Sequence, residues 1–295
     1  MKQTRRGFIS QISSLTAGGI IITSPLTSLA QAKSRTVGEI MDLFISKVPG
    51  APFPNTVDTL KSGSREHTVT GIVTTMFATI PVINQSIKLG ANFIIAHEPT
   101  FYSHLDKTDW LADNEVFNYK MTLLNKHQVS VWRNHDYIHS HKPDGVFSGL
   151  LDTLGWKSYS STSEPWNISL PSTTLAQLIA DLKQKLNIST LRYIGEDNHP
   201  CSKVLLMPGA AGGERQIRAI AQNNPDVAIV GELQEWETAE FVRDARASGK
   251  KLALIVLGHT DSEDGGSTYM RDWLNQHVPE VKVTHVHSGN PFTFK

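Results

Sequence analysis

Histidine and carboxylate residues follow apolar segments at three places in this sequence of 295 residues. In the clearest case an apolar run over residues 251–257 ends at Gly258, and His259 and Glu263 come next. The run is too short to span a membrane and is typical of a strand that is buried on both faces. A histidine and a glutamate at this spacing can reach one metal ion if the intervening turn coils back. The alternative is a solvated or capping pair, and one such segment does not decide between the two.

Two further segments repeat this design. Residues 91–96 form an apolar run that leads directly to His97 and Glu98. The third segment follows an apolar run over residues 129–132 and carries four candidate side chains: His135, Asp136, His139 and His141. Imidazole and carboxylate groups suit Zn, Mn, Fe or Ni, and ligands of α/β proteins bind outside the carboxyl ends of strands. The three segments therefore predict one shared crevice, whereas the alternative for each is a capped loop or a solvated turn.

Alternating helices and strands must position these side chains. Periodicity predicts helices near residues 36–48, 80–89, 113–127 and 145–154, and strands over 68–77, 92–97 and 129–133. A second series of this kind ends with a helix near 268–277 and a strand over 281–287, where His285 and His287 share a face. Such alternation is typical of an α/β fold with mostly parallel strands.

A stretch rich in Ser, Thr and Pro over residues 159–171 is the best candidate for a boundary between two lobes. It predicts a first lobe over residues 33–158 and a second lobe over residues 159–295. In the second lobe, the small residues 208–213 precede a predicted helix. They permit either a phosphate-binding loop or a tight strand-to-helix turn, although the Lys-Ser/Thr pair of a nucleotide P-loop is missing.

Composition excludes several classes of protein. A hydrophobic content of 39% and a charged content of 19%, without low-complexity tracts, indicate a folded globular chain. The formal net charge is zero, so no electrostatic signal for nucleic-acid binding is present. Cys201 is the only cysteine, which excludes an intramolecular disulfide and a metal site built from several thiolates of one chain.

The first 32 residues are similar to a twin-arginine export signal. Arg5 and Arg6 precede Phe8, and a mildly apolar stretch ends with the small residues Ala30 and Ala32. This pattern predicts cleavage after Ala32, a periplasmic location and no stable membrane anchor afterwards. An amphipathic helix or an anchor is the alternative, but the glycines, the proline and the hydroxyl groups of the stretch disfavour both. The twin-arginine route carries folded proteins, so a metal ion can be loaded before export.

The order of the motifs resembles that of the Nif-three-like dinuclear metal-centre proteins, also called GTP cyclohydrolase 1 type 2. The resemblance spans about residues 36–292. It rests on five separated elements in the same order: His97-Glu98-Pro-Thr-Phe, Asn134-His135-Asp136-Tyr-Ile-His139, Gly231-Glu232, Gly258-His259-Thr-Asp-Ser-Glu263 and Asn290-Pro291. It implies two α/β lobes that enclose two divalent metal ions, and a homo-oligomer that is often a toroidal hexamer.

The resemblance also implies a ligand set, with two exchanges. Where the family has a His-His pair this chain has His97-Glu98, and where the family has an Asp ligand the matching position is His139. The implied metal ligands are therefore His97, Glu98, His139, His259 and Glu263. Asp136 stays a rival to His139. His135 matches a histidine that does not bind metal in the family, and it is a candidate for proton transfer together with Glu232.

The resulting hypothesis is a periplasmic hydrolase of a small-molecule substrate. Two divalent ions, drawn from Zn, Mn, Fe and Ni, would share a bridging water. The alternative is a metal-binding or metal-delivery scaffold without turnover. A third hypothesis is a structural metal ion that joins the two lobes.

Overall fold

A computed structural model describes residues 34–293 and residue 295, and residues 34–295 form one compact unit. The export signal predicted for residues 1–32, with its cleavage after Ala32, lies outside the described residues. In the part of the chain that the structure describes, no helix combines the length and the apolar character that a membrane crossing needs.

Ten strands, counted over the described residues, form two five-stranded sheets. In chain order they are β1 (Leu60–Ser62), β2 (Ile72–Thr75), β3 (Phe93–Ala96), β4 (Ser130–Arg133), β5 (Asn167–Thr174), β6 (Arg192–Ile194), β7 (Pro200–Met207), β8 (Val227–Val230), β9 (Ala253–Val256) and β10 (Val283–His285). The first sheet has the order β1-β4-β3-β2-β10, in which only β1 is antiparallel to its neighbour. The second has the order β5-β7-β8-β9-β6, with a parallel centre and an antiparallel strand at each edge. The predicted α/β class is confirmed as a mixed α/β fold.

Nine α-helices connect and cover these sheets, again counted over the described residues. They are α1 (Val37–Ile45), α2 (Ile80–Lys88), α3 (Glu115–Lys126), α4 (Asp136–Ser140), α5 (Gly145–Leu154), α6 (Leu175–Leu186), α7 (Gly213–Asn223), α8 (Glu240–Ala247) and α9 (His259–His277). Helix α5 has the bounds that periodicity predicts. The carboxylate of Asp144 caps it by accepting the N–H groups of Val146 and Phe147, and Gly155 ends it in the left-handed region at φ +66°.

Helices cover both faces of each sheet, which explains why the central strands are fully buried and mostly apolar. Side chains of α1 and α9 share a core with Ile72 and Phe93 on one face of the first sheet, and α2 and α3 cover its other face. Side chains of α5 and α6 pack on Val204 and Ile229 of the second sheet, and α7 and α8 cover its other face.

Three elements cross the division that the sequence predicts at residues 158 and 159. Strands β1 to β4 precede that position and strands β5 to β9 follow it, but β10 pairs with β2 of the first sheet. In the same way α9 contributes Met270, Trp273 and Leu274 to the core of the first sheet, while α5 contributes Leu150 and Leu154 to that of the second. The boundary of the two lobes stays a prediction. Strand β10 follows that boundary in the sequence but pairs within the first sheet.

Helix α9 begins earlier than the sequence predicts. Periodicity predicts a helix near 268–277, whereas the helix starts at His259 and runs through Gly265 and Gly266. Glycine disfavours a helix interior, but here it permits close packing. A Cβ atom on Gly149 of α5 would stand 1.9 Å from the carbonyl oxygen of Gly265, and one on Gly265 would stand 2.5 Å from the carbonyl carbon of Gly149. Backbone contact between α5 and α9 therefore compensates for the weak helix propensity.

This contact generates a stability prediction. Gly149→Ala and Gly265→Ala should each lower the free energy of unfolding by about 1–3 kcal/mol, because a rigid backbone atom on the facing helix leaves no room for the methyl group. Ser148→Ala, one residue away on α5, is the matched control and should leave stability within about 0.5 kcal/mol. Urea unfolding followed by circular dichroism measures the difference. Glycine variants as stable as the control would show that the helices do not touch at this point.

Candidate metal centre

The three predicted segments meet at one place, where the carboxyl ends of strands from both sheets face each other. His97 and Glu98 follow β3, His135 follows β4 in the first sheet, and His259 follows β9 in the second. His259 Nε2 lies 3.3 Å from Glu98 Oε1, and Glu263 Oε2 lies 3.5 Å from His97 Nε2. Side chains that are far apart in the sequence therefore form one cluster.

His259 and Glu263 are positioned by the first turn of α9. Their spacing places them one helical turn apart on the same face, and His259 Nε2 lies 3.0 Å from Glu263 Oε2. The predicted coiling of this segment is thus a helix start and not an irregular turn. Glycines make room for the carboxylate, since a Cβ atom on Gly209 would stand 2.2 Å from Glu263 Oε1.

The turn over residues 208–213 receives carboxylates of this chain. Gly209 adjoins Glu263, and the N–H of Gly213 at the start of α7 donates to the Glu237 carboxylate at 3.1 Å. A helix N-terminus favours an anion, and here a side chain supplies it. Of the two alternatives, the structure thus favours the tight strand-to-helix turn over the phosphate loop.

Asp58 fixes the segment that carries His135 and His139. Its buried carboxylate accepts the main-chain N–H groups of His135 at 2.8 Å and Tyr137 at 2.7 Å, so it caps α4 from a distant loop. Burial raises the pKa of Asp58 and outweighs these hydrogen bonds, which act in the opposite direction.

The competition between Asp136 and His139 has a geometric answer. Asp136 accepts hydrogen bonds from the Thr56 hydroxyl at 2.8 Å and the Val57 N–H at 3.2 Å, and its other oxygen bonds His135 Nδ1 at 3.0 Å. His139, in contrast, has its ring 5.1 Å from the ring of His97, centre to centre. The geometry favours His139 as the member of the cluster and Asp136 as a group that orients His135.

Oxygen atoms hold the outer ring nitrogen of every histidine in the cluster. Nδ1 of His97 contacts the carbonyl oxygen of Asn134 at 3.3 Å, and Nδ1 of His139 contacts Asp144 Oδ2 at 3.0 Å. Nδ1 of His135 meets Asp136, and Nδ1 of His259 meets Glu232 Oε2 at 3.3 Å. Because carbonyl and carboxylate oxygens only accept, each Nδ1 carries the proton, and Nε2 is the atom that faces the cluster.

His97 gives the clearest sign of a missing partner. Its ring is buried, and its Nε2 has no hydrogen-bond partner in the part of the chain that the structure describes. Buried polar atoms are normally paired, so an orphaned nitrogen calls for a ligand. Two sets of donor atoms lie within 4.8 Å of one another around it, namely His97 with His135 and His139, and His97 with Glu98 and Glu263. Imidazole nitrogens and carboxylate oxygens in such groups fit a divalent metal ion.

Arg133 determines which oxygen of Glu98 faces the cluster. The guanidinium is fully buried and lies 3.3 Å from Glu98 Oε2, and it also donates to the carbonyl oxygens of His97 and His104. Glu98 Oε1 faces the histidines and lies 3.3 Å from His259 Nε2 and 3.6 Å from His135 Nε2. Glu98 therefore offers a single oxygen to a metal ion.

Burial and neighbouring charges shift the pKa values of the ionisable groups in the cluster. Burial favours a neutral ring in His259, but hydrogen bonds to Glu232, Glu263 and Glu98 outweigh it and raise its pKa to about 12. Burial acts to raise the pKa values of Glu98 and Glu263, yet the neighbouring histidines hold both below the ordinary range. Burial and the nearby His97 lower the pKa of His135 to about 4, so that ring is neutral. Glu98 and Glu263 are therefore anionic, the ring of His259 is cationic and the ring of His135 is neutral.

The sequence did not identify several residues that support the site. Arg133, Asn134 and Asp58 act through contacts that join distant segments. Asp144 contacts residues near it in the sequence and has a sequence signal, as the residue before a helix that begins with glycine. His285 and His287 do share a face, as predicted, and both point at Asp264 of α9, at 3.0 and 3.9 Å. A supporting role for them at the metal centre stays a prediction.

The fold and the cluster together define an α/β protein with two five-stranded sheets and a histidine and glutamate site suited to a metal ion. The family model for Duf34/NIF3 (NGG1p interacting factor 3) matches residues 57–291, and the chain belongs to this family. The resemblance drawn from the order of the motifs is thereby confirmed at the level of the family.

Relatives and solved structures agree with this assignment. The chain is 25% identical over 234 residues to a GTP cyclohydrolase 1 type 2 homolog of Escherichia coli (strain K12), covering 77% of this chain and 87% of that protein. It is 24% identical over 214 residues to a protein of the same name from Clostridium perfringens, covering 69% and 77%. A Bacillus cereus protein related to NIF3 has a TM-score of 0.71 at 16% identity, covering 90% of this chain and all of that one. A Staphylococcus aureus hypothetical protein has a TM-score of 0.70 at 21% identity, with 89% and 100% coverage.

The loop that follows Glu98 is held by a buried lysine. Lys120 of α3 is 3% exposed, donates to the carbonyl oxygen of Thr100 at 2.6 Å and lies over the rings of Phe101 and Tyr102. Burial lowers the pKa of Lys120 to about 8, against the opposing influence of Asp106. The folded chain therefore releases this proton at a lower pH than the unfolded chain does.

This difference predicts how stability depends on pH. Between pH 8 and 10.5 the unfolded chain holds the Lys120 proton and the folded chain does not, so the free energy of unfolding should rise with pH, by on the order of 3 kcal/mol in total. Lys120→Met should lack this rise, whereas Lys126→Met, at an exposed position of the same helix, should keep it. Urea unfolding at several pH values measures the three profiles. Parallel profiles for wild type and Lys120→Met would contradict a lowered pKa.

Proposed function

We propose that this chain is an exported hydrolase with a dinuclear metal centre of the Nif-three-like type, acting on a small molecule in the periplasm. The observation that carries the proposal is the orphaned Nε2 of His97 inside a buried set of imidazole and carboxylate donors. The proposed ligands of two divalent ions, drawn from Zn, Mn, Fe and Ni, are His97, Glu98, His139, His259 and Glu263. The names of the relatives support the assignment to the hydrolase class.

The residues present fit two metal ions on the chemistry of their donors. Five ligands from two sheets give three imidazoles and two carboxylates, as the resemblance implies. Orienting contacts are already in place at His97, His139 and His259, so these rings need not turn to accept an ion. Two bound divalent ions supply an activated water near neutral pH and a positive charge for the oxygens of the substrate.

Glu232 is placed to move protons. Its side chain is 54% exposed and its Oε2 lies 3.3 Å from His259 Nδ1, so it joins the buried cluster to solvent. The hydrogen bond to His259 lowers the pKa of Glu232, which keeps the carboxylate ionised, the form that can take up a proton. Arg133 contributes by keeping Glu98 in one orientation.

The substrate class follows from the resemblance and the proposed location. Relatives carry the name GTP cyclohydrolase 1 type 2 homolog, but a periplasmic enzyme has no access to the cytosolic nucleotide pool. We therefore propose a phosphoester, nucleotide or amide that is present outside the cytoplasm.

A homo-oligomer, and by resemblance a hexamer, is also proposed, supported by exposed aromatic side chains such as Trp110, Tyr119 and Trp236. The mass of the purified particle tests this assembly.

Metal content provides the first test. Protein exported by its own signal should contain two equivalents of divalent metal by elemental analysis. Glu263→Gln should lose at least one of them, because a buried ligand oxygen is replaced by an amide. Glu214→Gln, at an exposed position of α7, is the matched control and should keep both, since Glu214 pairs with Arg218 on the surface. One equivalent or none in the wild type would contradict a dinuclear centre.

Activity provides the second test. Wild-type protein loaded with metal should hydrolyse at least one member of a panel of phosphoesters, nucleotides and amides. Glu232→Gln, assayed with metal in excess, should lower kcat by roughly 10²–10⁴-fold, the usual contribution of a proton-transfer group. Full turnover in Glu232→Gln would exclude this role.

A protein that binds two metals and turns over nothing in the panel would instead favour the alternative, a metal-binding or metal-delivery scaffold. The burial of His97, Glu98 and Glu263 suits a protein that retains its ion, so this outcome has a structural basis. Glu98→Gln separates the two functions, because it should remove an activity in an enzyme and only metal in a scaffold.

A further inference from the structure

Three histidine rings form a compact group on the first sheet. The rings of His97 and His135 are stacked with centres 4.8 Å apart and an interplanar angle of 20°. The ring of His139 meets both edge to face, at 5.1 and 4.9 Å. One nitrogen of each ring lies within 4.8 Å of a nitrogen of the other two. Nitrogens grouped in this way can serve as ligands of one ion.

His135 presents the correct nitrogen to this group. Its Nδ1 is bonded to Asp136 Oδ1 at 3.0 Å, and Asp136 is itself fixed by Thr56 and Val57. A carboxylate at Nδ1 keeps the proton there and leaves the lone pair of Nε2 free, the arrangement that orients metal-binding histidines. His97 and His139 have the same arrangement, with Asn134 and Asp144 as the acceptors.

The other half of the cluster has different chemistry. Glu98 Oε1 and Glu263 Oε2 lie 3.3 and 3.0 Å from His259 Nε2, so this half offers two carboxylates and one imidazole. Arg133 sits behind Glu98, on the side away from the histidines. The two halves differ in charge as well as in ligand type, since three imidazoles are neutral as ligands and two carboxylates carry negative charge.

We propose that His135 is a metal ligand, so that an all-imidazole site of His97, His135 and His139 stands beside a carboxylate-rich site of Glu98, His259 and Glu263. This inference rests on the proposed metal centre but not on its hydrolase activity. It departs from the resemblance, in which the matching histidine does not bind metal. It also gives Asp136 a role, as the positioning residue of the added ligand.

An unsymmetrical centre has a consequence for metal choice. Imidazole ligands favour Zn²⁺, Co²⁺ and Ni²⁺, whereas carboxylate oxygens also suit Mn²⁺. Zn²⁺ or Co²⁺ therefore fills the all-imidazole site first, and Mn²⁺ competes only for the carboxylate-rich site.

The test is a titration of the metal-free full-length protein with Zn²⁺ and with Co²⁺, followed by calorimetry and by the visible absorption of bound Co²⁺. Wild type should bind two equivalents with different affinities. His135→Gln should weaken the tighter equivalent by at least 100-fold and leave the other, and Asp136→Asn should weaken the same equivalent by roughly 10–100-fold. His104→Gln is the matched control, because the His104 ring also contacts that of His135, at 6.2 Å, but lies outside the donor group.

Other outcomes decide the matter in the opposite direction. Wild-type affinity for both equivalents in His135→Gln, or absence of metal binding in wild type, overturns the proposal. Loss of turnover in His135→Gln with full metal content also overturns it and favours the proton-transfer role. Loss of one metal in a protein that shows no turnover supports the all-imidazole site while the hydrolase proposal fails. Equal unfolding temperatures of the metal-free variant and wild type confirm that the variant is folded.

Discussion

The contact between Gly149 and Gly265 is the constraint on which the rest of the structure depends. It places the backbones of α5 and α9 side by side, and these are the helices that pack on the sheet opposite to the one their sequence position suggests. Because α9 is fixed there, its first turn places His259 and Glu263 beside His97 and Glu98 at the end of β3. A side chain at either glycine would separate the helices and with them the two halves of the cluster.

Oxygen atoms around the cluster fix the orientation of its histidine rings. Four imidazoles each have an acceptor at Nδ1, supplied by a carbonyl or a carboxylate that is anchored elsewhere in the fold. The ring orientations are therefore set by strand ends and loops, and not by the ion that they would bind. Charge is handled in the same way, since Arg133 faces one oxygen of Glu98 and the cationic ring of His259 faces the other. Preorganisation of this kind lowers the reorganisation that a bound ion demands.

The sequence predicts the strand ends well and their surroundings poorly. Apolar runs before His97, His135 and His259 identify the strands, because burial on both faces leaves a continuous apolar signal. The start of α9 is missed, since Gly265 and Gly266 are poor helix formers and their compensation comes from a distant helix. Arg133 ends an apolar strand without any sign that its partner is Glu98. The contacts that favour Asp136 as an orienting group likewise come from Thr56 and Val57, which lie some 80 positions earlier in the chain. Tertiary contacts of this kind leave no local pattern.

The return of β10 to the first sheet means that this sheet is complete only when residues near 283 have been synthesised. Neither sheet alone contains the cluster, and the edge of the first sheet closes only when residues near 283 have paired with β2. A nascent chain that has just completed α4 therefore holds three imidazoles but lacks both the helix that covers them and the carboxylate from it. Pairings over more than 200 residues are slow to form, because the chain must close a long loop before they stabilise it. If the cluster holds a metal ion as proposed, capture of that ion belongs to the folded protein, and the supply of metal in the compartment where folding ends influences which ion is taken up.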